Sequence, residues 1–160
     1  MTHLLNSGKT EISYLTFRVG LQWYAVDVLA VFEVVNLVAI SPVPDVPESV
    51  LGVVNIRGSM APVIDLRRRF NMPDKTLKLT TPIIFLRHEE IGTYGIVVDD
   101  VDDVVNLNPG AVYQTPLTER AEHILGIMDV RERLIMLLDP LKLMKTTLRD
   151  EPLFVQKSEE

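Results

Sequence analysis

The chain reads as an all-β protein, a tandem duplication giving two five-stranded barrels packed together, with short helices including a C-terminal one. Three observations point there. The segment YAVDVLAVFEVVNL (24–37) recurs 70 positions later as YGIVVDDVDDVVNL (94–107), with seven of 14 positions identical. A second pairing, 74 positions apart, sets LGVVNIR (51–57) against LGIMDVR (125–131), and PVID (62–65) against MLLD (136–139). The apolar runs between are short, rich in β-branched residues, and punctuated by Gly and Pro, as strands are. The order is the same in both halves, and one longer loop absorbs the change in separation. Two similar units side by side create a junction where a partner can bind.

Taken in order, the strand pattern falls at 12–19, 24–29, 31–38, 53–57 and 60–64 in the first half. In the second half it falls at 82–86, 94–98, 101–107, 126–130 and 134–138. The matching valines Val34 and Val104 are expected to point into equivalent barrel interiors. Three prolines in SPVPDVP (41–47) require an irregular loop. Gly58-Ser59 reads as the turn of a hairpin. Asp65 suits the N-cap of a short helical turn, LRRRF, and Asp139 followed by Pro140 suits the start of a second helix. In that helix Leu141, Leu143, Met144 and Leu148 recur at helical spacing. The polar stretch 71–81 connects the halves, so one domain at 11–149 holds approximate, intertwined subdomains at 11–70 and 82–149. Residues 1–10 and 150–160 read as flexible tails.

At 160 residues, folding one domain buries roughly 68–70% of the unfolded surface, whereas each half alone is marginal; a shared core follows. No apolar run approaches the ~18 residues of a membrane span, and no secretory signal is visible. The chain has no cysteine, which removes disulfides, thiol nucleophiles and thiolate metal sites and is compatible with cytoplasm. Net charge is 16 − 22 = −6, with 6% aromatic residues. Binding nucleic acid requires neutralising phosphates, so that class is disfavoured; the field favours basic partners.

Catalytic patterns are lacking: no GxSxG, P-loop or GxGxxG occurs, and His3, His88 and His123 have no i, i+4 partner. The matched Asp65 and Asp139 admit a catalytic carboxylate pair, but capping accounts for both. Asp99, Asp100, Asp102 and Asp103 form either a solvated strand turn or a cation or basic-partner site. An EF-hand is excluded, because a strand continues where the calcium loop would need its Gly and Glu. Trp23 is either core or rim, or a ligand platform. In Asn55-Ile56-Arg57-Gly58 an arginine stands before a turn glycine, where its planar fork can meet a carboxylate or backbone carbonyls. The other reading is an ordinary exposed turn charge. Arg131, its repeat partner, precedes Glu132 rather than glycine, so Glu132 is expected to hold Arg131 or Arg133 locally and leave only Arg57 free.

Over roughly 11–146 the sequence resembles CheW-type chemotaxis coupling proteins. The resemblance rests on YLTFRVG (14–20), YAVDVLAVFEVV (24–35), LGVVNIRGSMAPVIDLRRRF (51–70), YGIVVDDVDDV (94–104) and LGIMDVRERLIMLLDPLKLM (125–144). It implies two intertwined five-stranded barrels of the small SH3- or OB-like kind. It also implies a non-enzymatic adaptor, without cofactor, catalytic residue or metal. That adaptor would link the cytoplasmic tip of methyl-accepting chemoreceptors to the regulatory domain of a CheA-type histidine kinase. The family's receptor-coupling positions fall on Val31, Glu33, Arg57 and Ile83, with Asn55 and Gly58 completing the presenting motif. Gly52 is a candidate for kinase contact. A cytoplasmic protein is implied, recruited to membrane-bound receptor arrays through its partners, with no direct membrane insertion and no nucleic acid. The polar turn common in the family is replaced by Gly20-Leu21-Gln22-Trp23, and Asp100 stands where Gly is frequent. With no kinase or receiver domain in the sequence, a stand-alone coupler is expected. The alternatives are a coupler in a pilus-motility or gene-regulatory pathway and, less favoured, a small-barrel nucleic-acid module.

Overall fold

A computed structural model describes residues 11–114, 116 and 121–150. The expected tails lie outside the described residues, except that Asp150 ends the last helix rather than opening a tail. The first half runs β1 (Ile12–Val19), β2 (Gln22–Asp27), a 3-10 turn (Val28–Ala30), β3 (Val31–Asn36), β4 (Val50–Ile56), β5 (Ser59–Asp65) and helix α1 (Leu66–Arg69). The second runs β6 (Pro82–His88), β7 (Gly92–Val97), β8 (Asp100–Leu107), a 3-10 turn (Pro109–Ala111), β9 (Val112–Tyr113), β10 (Ile124–Val130), β11 (Arg133–Leu138) and helix α2 (Pro140–Asp150). Both expected caps form. The Arg67 N–H donates to Asp65 Oδ1 at 3.0 Å, and the Leu141 N–H donates to Asp139 Oδ1 at 3.0 Å. The two-residue β9 escapes sequence reading because it is too short to show alternation; pairing with Ile127 and Met128 of β10 defines it.

The protein is all-β in two sheets, a six-stranded one ordered β8-β1-β2-β11-β10-β9 and a five-stranded one ordered β3-β6-β7-β5-β4. Replacing each strand of the second sheet by its repeat counterpart generates the first. The isolated bridge between Ser41 and Val53 occupies the place of β9. Each repeat therefore gives its first two strands to the other repeat's sheet. The seams match in register: Ala25 pairs with Leu137 across the parallel β2–β11 seam, as Gly95 pairs with Val63 across β7–β5.

This exchange explains three cores. Phe17, Tyr24, Ile64, Ile84, Tyr94, Ile96 and Leu143 fill the space between the sheets. Val54, Ile56, Val63, Ile83 and Phe85 fill one barrel, and Tyr14, Ala25, Met128, Ile135 and Leu137 the other. Strand β6 lies between two cores and buries both faces, hence its unbroken run PIIFL. Each fully buried Ile, Leu or Phe there contributes about 1.5–3 kcal/mol. The Tyr94 hydroxyl, whose pKa burial pushes far up, donates to the Pro140 carbonyl at 2.6 Å and ties β7 to α2.

Val34 and Val104 are equivalent, but they face outward, 43% and 53% exposed. The cause is a pair of bulges, between Val31 and Glu33 on β3 and opposite Leu15 and Phe17 on β8. One extra residue flips the alternation that follows, so Val35 and Val105 pack inward instead.

Candidate functional site

Strand β4 ends at Ile56, which pairs with Ser59, so the hairpin turn is Arg57-Gly58, one residue earlier than the sequence suggests. Both residues have positive φ, 50° and 86°, the primed geometry that follows the strand twist. Gly58 adopts it at no steric cost; Arg57 does so at about 1 kcal/mol or more. The Gly58 N–H donates to Asn55 Oδ1 at 3.1 Å and clips the turn shut, which explains the asparagine of the motif. Arg57 thus rises from the lip of an open groove.

That groove has a volume of about 600 Å³. It lies between the edge strands β3 and β4, where the five-stranded sheet does not close on itself. Val35, Val53 and Phe85 give it apolar surface, Val38, Ala39 and Ser41 form its far rim, and Met60 stands 62% exposed beside it. Arg57 Nε donates to Glu33 Oε1 at 2.8 Å across its mouth. That hydrogen bond holds the Glu33 carboxyl below its ordinary pKa and raises that of Arg57. Arg57 is therefore already paired, not free as its position before glycine suggests.

The structure brings Glu33, Asn55, Arg57 and Gly58 together and leaves three candidates outside. Val31, half-buried at the start of β3, packs toward the core between the sheets. Ile83 is fully buried inside the barrel and reaches no surface. Gly52 is buried at φ 149°, where a Cβ would lie 2.1 Å from the Ser41 carbonyl oxygen. Its lack of a side chain serves backbone approach. The groove residues that sequence reasoning missed include Val35, Val38, Ala39, Val53, Met60 and Phe85. Only Met60, an apolar residue beside a turn, carried a signal.

The acidic cluster is neither uniformly solvated nor gathered about one point. The Asp99 side chain is 5% exposed and receives the Arg67 fork, Nη2 to Oδ2 at 2.6 Å, and the Gly20 N–H at 2.8 Å. Burial raises its pKa, but these donors outweigh burial and leave it lowered. Asp100 pairs with Arg18, and Asp102 with Arg133 at 3.2 Å. Trp23 is half-buried at the rim of the other barrel, with the Arg133 guanidinium 3.9 Å from its ring centroid. Arg133 is thus held by Asp102 and Trp23 rather than by Glu132. No described helix is long and apolar enough to cross a membrane.

Two exchanged barrels, a groove at an open sheet edge and the capped helices α1 and α2 define a small β-barrel fold of duplicated halves. The chain belongs to the CheW-like domain family, whose match spans residues 13–147. It is 31% identical over 136 residues to a chemotaxis protein CheW of Klebsiella aerogenes, covering 83% of this chain and 81% of that one. To a chemotaxis protein CheW of Rhizobium meliloti it is 33% identical over 115 residues, 71% of each chain. The crystal structure of the scaffolding protein TtCheW from Thermoanaerobacter tengcongensis superposes with a TM-score of 0.73 at 26% identity, covering 81% of this chain and 84% of that one.

Proposed function

We propose that this protein is a non-enzymatic chemotaxis adaptor that couples the cytoplasmic tip of a methyl-accepting chemoreceptor to the regulatory domain of a CheA-type histidine kinase. The observation that carries the receptor half is the β3–β4 groove. It offers an apolar floor for the apolar face of a receptor helix and an ion pair, Glu33–Arg57, at its mouth for the helix's polar rim. Such helix-in-groove recognition reads anchors at helical spacing. Both side chains can turn from each other to the helix, since solvent already competes for each of them. Val31 and Ile83 act on this groove through packing, Val31 against the core between the sheets and Ile83 inside the barrel beneath it. Gly52 lets the Ser41 segment lie against β4, and its part in kinase contact runs through that backbone packing. The interface area falls at the low end of roughly 1,200–2,000 Å², as suits a signalling assembly. The protein works in the cytoplasm, reaching receptor arrays through its partners.

Reconstitution tests this reading. Adding the protein to receptor-bearing membranes and kinase should place kinase autophosphorylation under receptor control, and Arg57→Glu should remove that control. If wild-type protein leaves autophosphorylation unchanged, the adaptor reading fails.

A further inference from the structure

The repeat supplies a second opening. Thr16, Asp103, Val105, Arg131, Arg133 and Ile135 are among the residues around a cavity of about 250 Å³ in the other barrel. Asp103 corresponds to Glu33, Val105 to Val35 and Arg131 to Arg57, so this is the counterpart of the β3–β4 groove. Substitutions between the repeats separate them. Ser59, small and exposed in the first hairpin, is replaced by Arg133, and Phe32 is replaced by Asp102. Arg133 lies over Trp23 at 3.9 Å and donates Nη1 to Asp102 Oδ2 at 3.2 Å, bracing β11 against both β2 and β8. A guanidinium stacked on an aromatic face and hydrogen-bonded at its edge is held more firmly than either contact holds it alone. Asp103 is one methylene shorter than Glu33, so the ion pair at the mouth of the first groove has no counterpart between Asp103 and Arg131.

We propose that Arg133 is a specificity-determining residue: clamped between Trp23 and Asp102, it narrows the second opening, so that the protein offers a receptor helix one groove instead of two. The identity of the helix rests on the function proposed above; the clamp does not. A one-grooved adaptor joins partners in one orientation, whereas a two-grooved one would crosslink receptors through itself.

Trp23 is the only tryptophan in the chain, so its fluorescence reads the clamp directly. Arg133→Ser restores the residue of the first repeat, and Arg133→Lys is its control, because lysine keeps the charge but loses the planar stack. Acrylamide quenching of Trp23 should rise in Arg133→Ser, rise less in Arg133→Lys, and remain at the wild-type level in Ser59→Ala. A soluble chemoreceptor-tip fragment is then titrated by calorimetry into wild type, Arg133→Ser and Arg133→Ser/Asp103→Glu. Wild type should bind one fragment without changing Trp23 emission. The double variant should bind two, and the second event should shift Trp23 emission and survive Arg57→Glu. Unchanged quenching in Arg133→Ser, or a single site in the double variant, overturns the inference. A wild-type protein that binds no fragment overturns the proposed function instead, and the quenching comparison still decides the clamp.

Discussion

At the scale of single residues, backbone geometry accounts for positions that side-chain chemistry alone leaves unexplained. Gly52 and Gly126 match in the repeat, and both lie where another backbone crosses closely. A Cβ on Gly52 would meet the Ser41 carbonyl oxygen at 2.1 Å, and one on Gly126 would meet Val112 Cγ1 at 2.4 Å and Tyr113 O at 2.8 Å. Only Gly52 also has a positive φ, and a backbone oxygen yields less readily than a methyl group. Gly52→Ala should therefore cost about 2–4 kcal/mol, more than Gly126→Ala, as measured by urea denaturation. Any loss of kinase binding in Gly52→Ala should then track the loss of folded protein; loss without destabilisation would make Gly52 a direct contact. At the groove, Arg57→Glu places two carboxylates at the mouth and should abolish binding of the receptor fragment. Arg131→Glu should leave it unchanged, at fixed ionic strength because exposed charges are screened by salt.

Among the elements, helices α1 and α2 matter more than their lengths suggest. The Arg69 side chain donates Nε to Thr147 Oγ1 at 2.8 Å and Nη2 to Thr146 Oγ1 at 2.7 Å, joining α1 to α2 through hydroxyls that are themselves buried. Replacing Arg69 by Met removes charge-assisted bonds and should cost about 1–3 kcal/mol. Hydrogen exchange should show α2 losing protection before the sheets. Beside this joint, the His123 ring stacks on Phe70 at 5.5 Å. Burial lowers its pKa below the ordinary 6.5, Arg69 lowers it further, and Glu122 opposes them weakly. The fold thus favours neutral His123, and the unfolded chain binds the proton more readily. The resulting stability is complete above pH ~6.5 and is lost as pH falls toward the folded-state pKa. Melting temperatures at pH 7.5 and 5.5 should differ more for wild type than for His123→Phe; equal differences would remove His123 from the linkage.

For the whole molecule, strand exchange makes the two barrels one folding unit. Neither sheet can form from one repeat, since β1 and β2 complete the sheet of β8, β10 and β11, while β6 and β7 complete that of β3, β4 and β5. Heat should therefore unfold both barrels in one transition, with calorimetric and van't Hoff enthalpies equal. Cleavage within the 71–81 connection, most of which is exposed, should leave two fragments that co-elute under native conditions. Fragments that separate would show that each half closes on itself.

The sequence by itself determined the duplication, the approximate strands, both helix caps and the hairpin that presents Arg57. Each of these is written in local chemistry: apolar runs between Gly and Pro, an Asp before a helix, a glycine at a turn. It also carried the family resemblance through the motif around 55–58. Tertiary structure decided which strands pair, because pairing joins residues far apart in the chain and two similar repeats make the exchanged and unexchanged arrangements look alike in pattern. It decided the faces of Val34 and Val104 through bulges that a partner strand imposes. It decided that Ile83 is core, that Gly52 is a crossing point, and that Asp99 is locked by Arg67. Above all it decided where the arginines go: Arg57 to Glu33 at an open groove, Arg133 to Trp23 and Asp102 over a narrower one. A long flexible cation takes whichever partner the fold brings within reach, and that choice is invisible until the strands are in place.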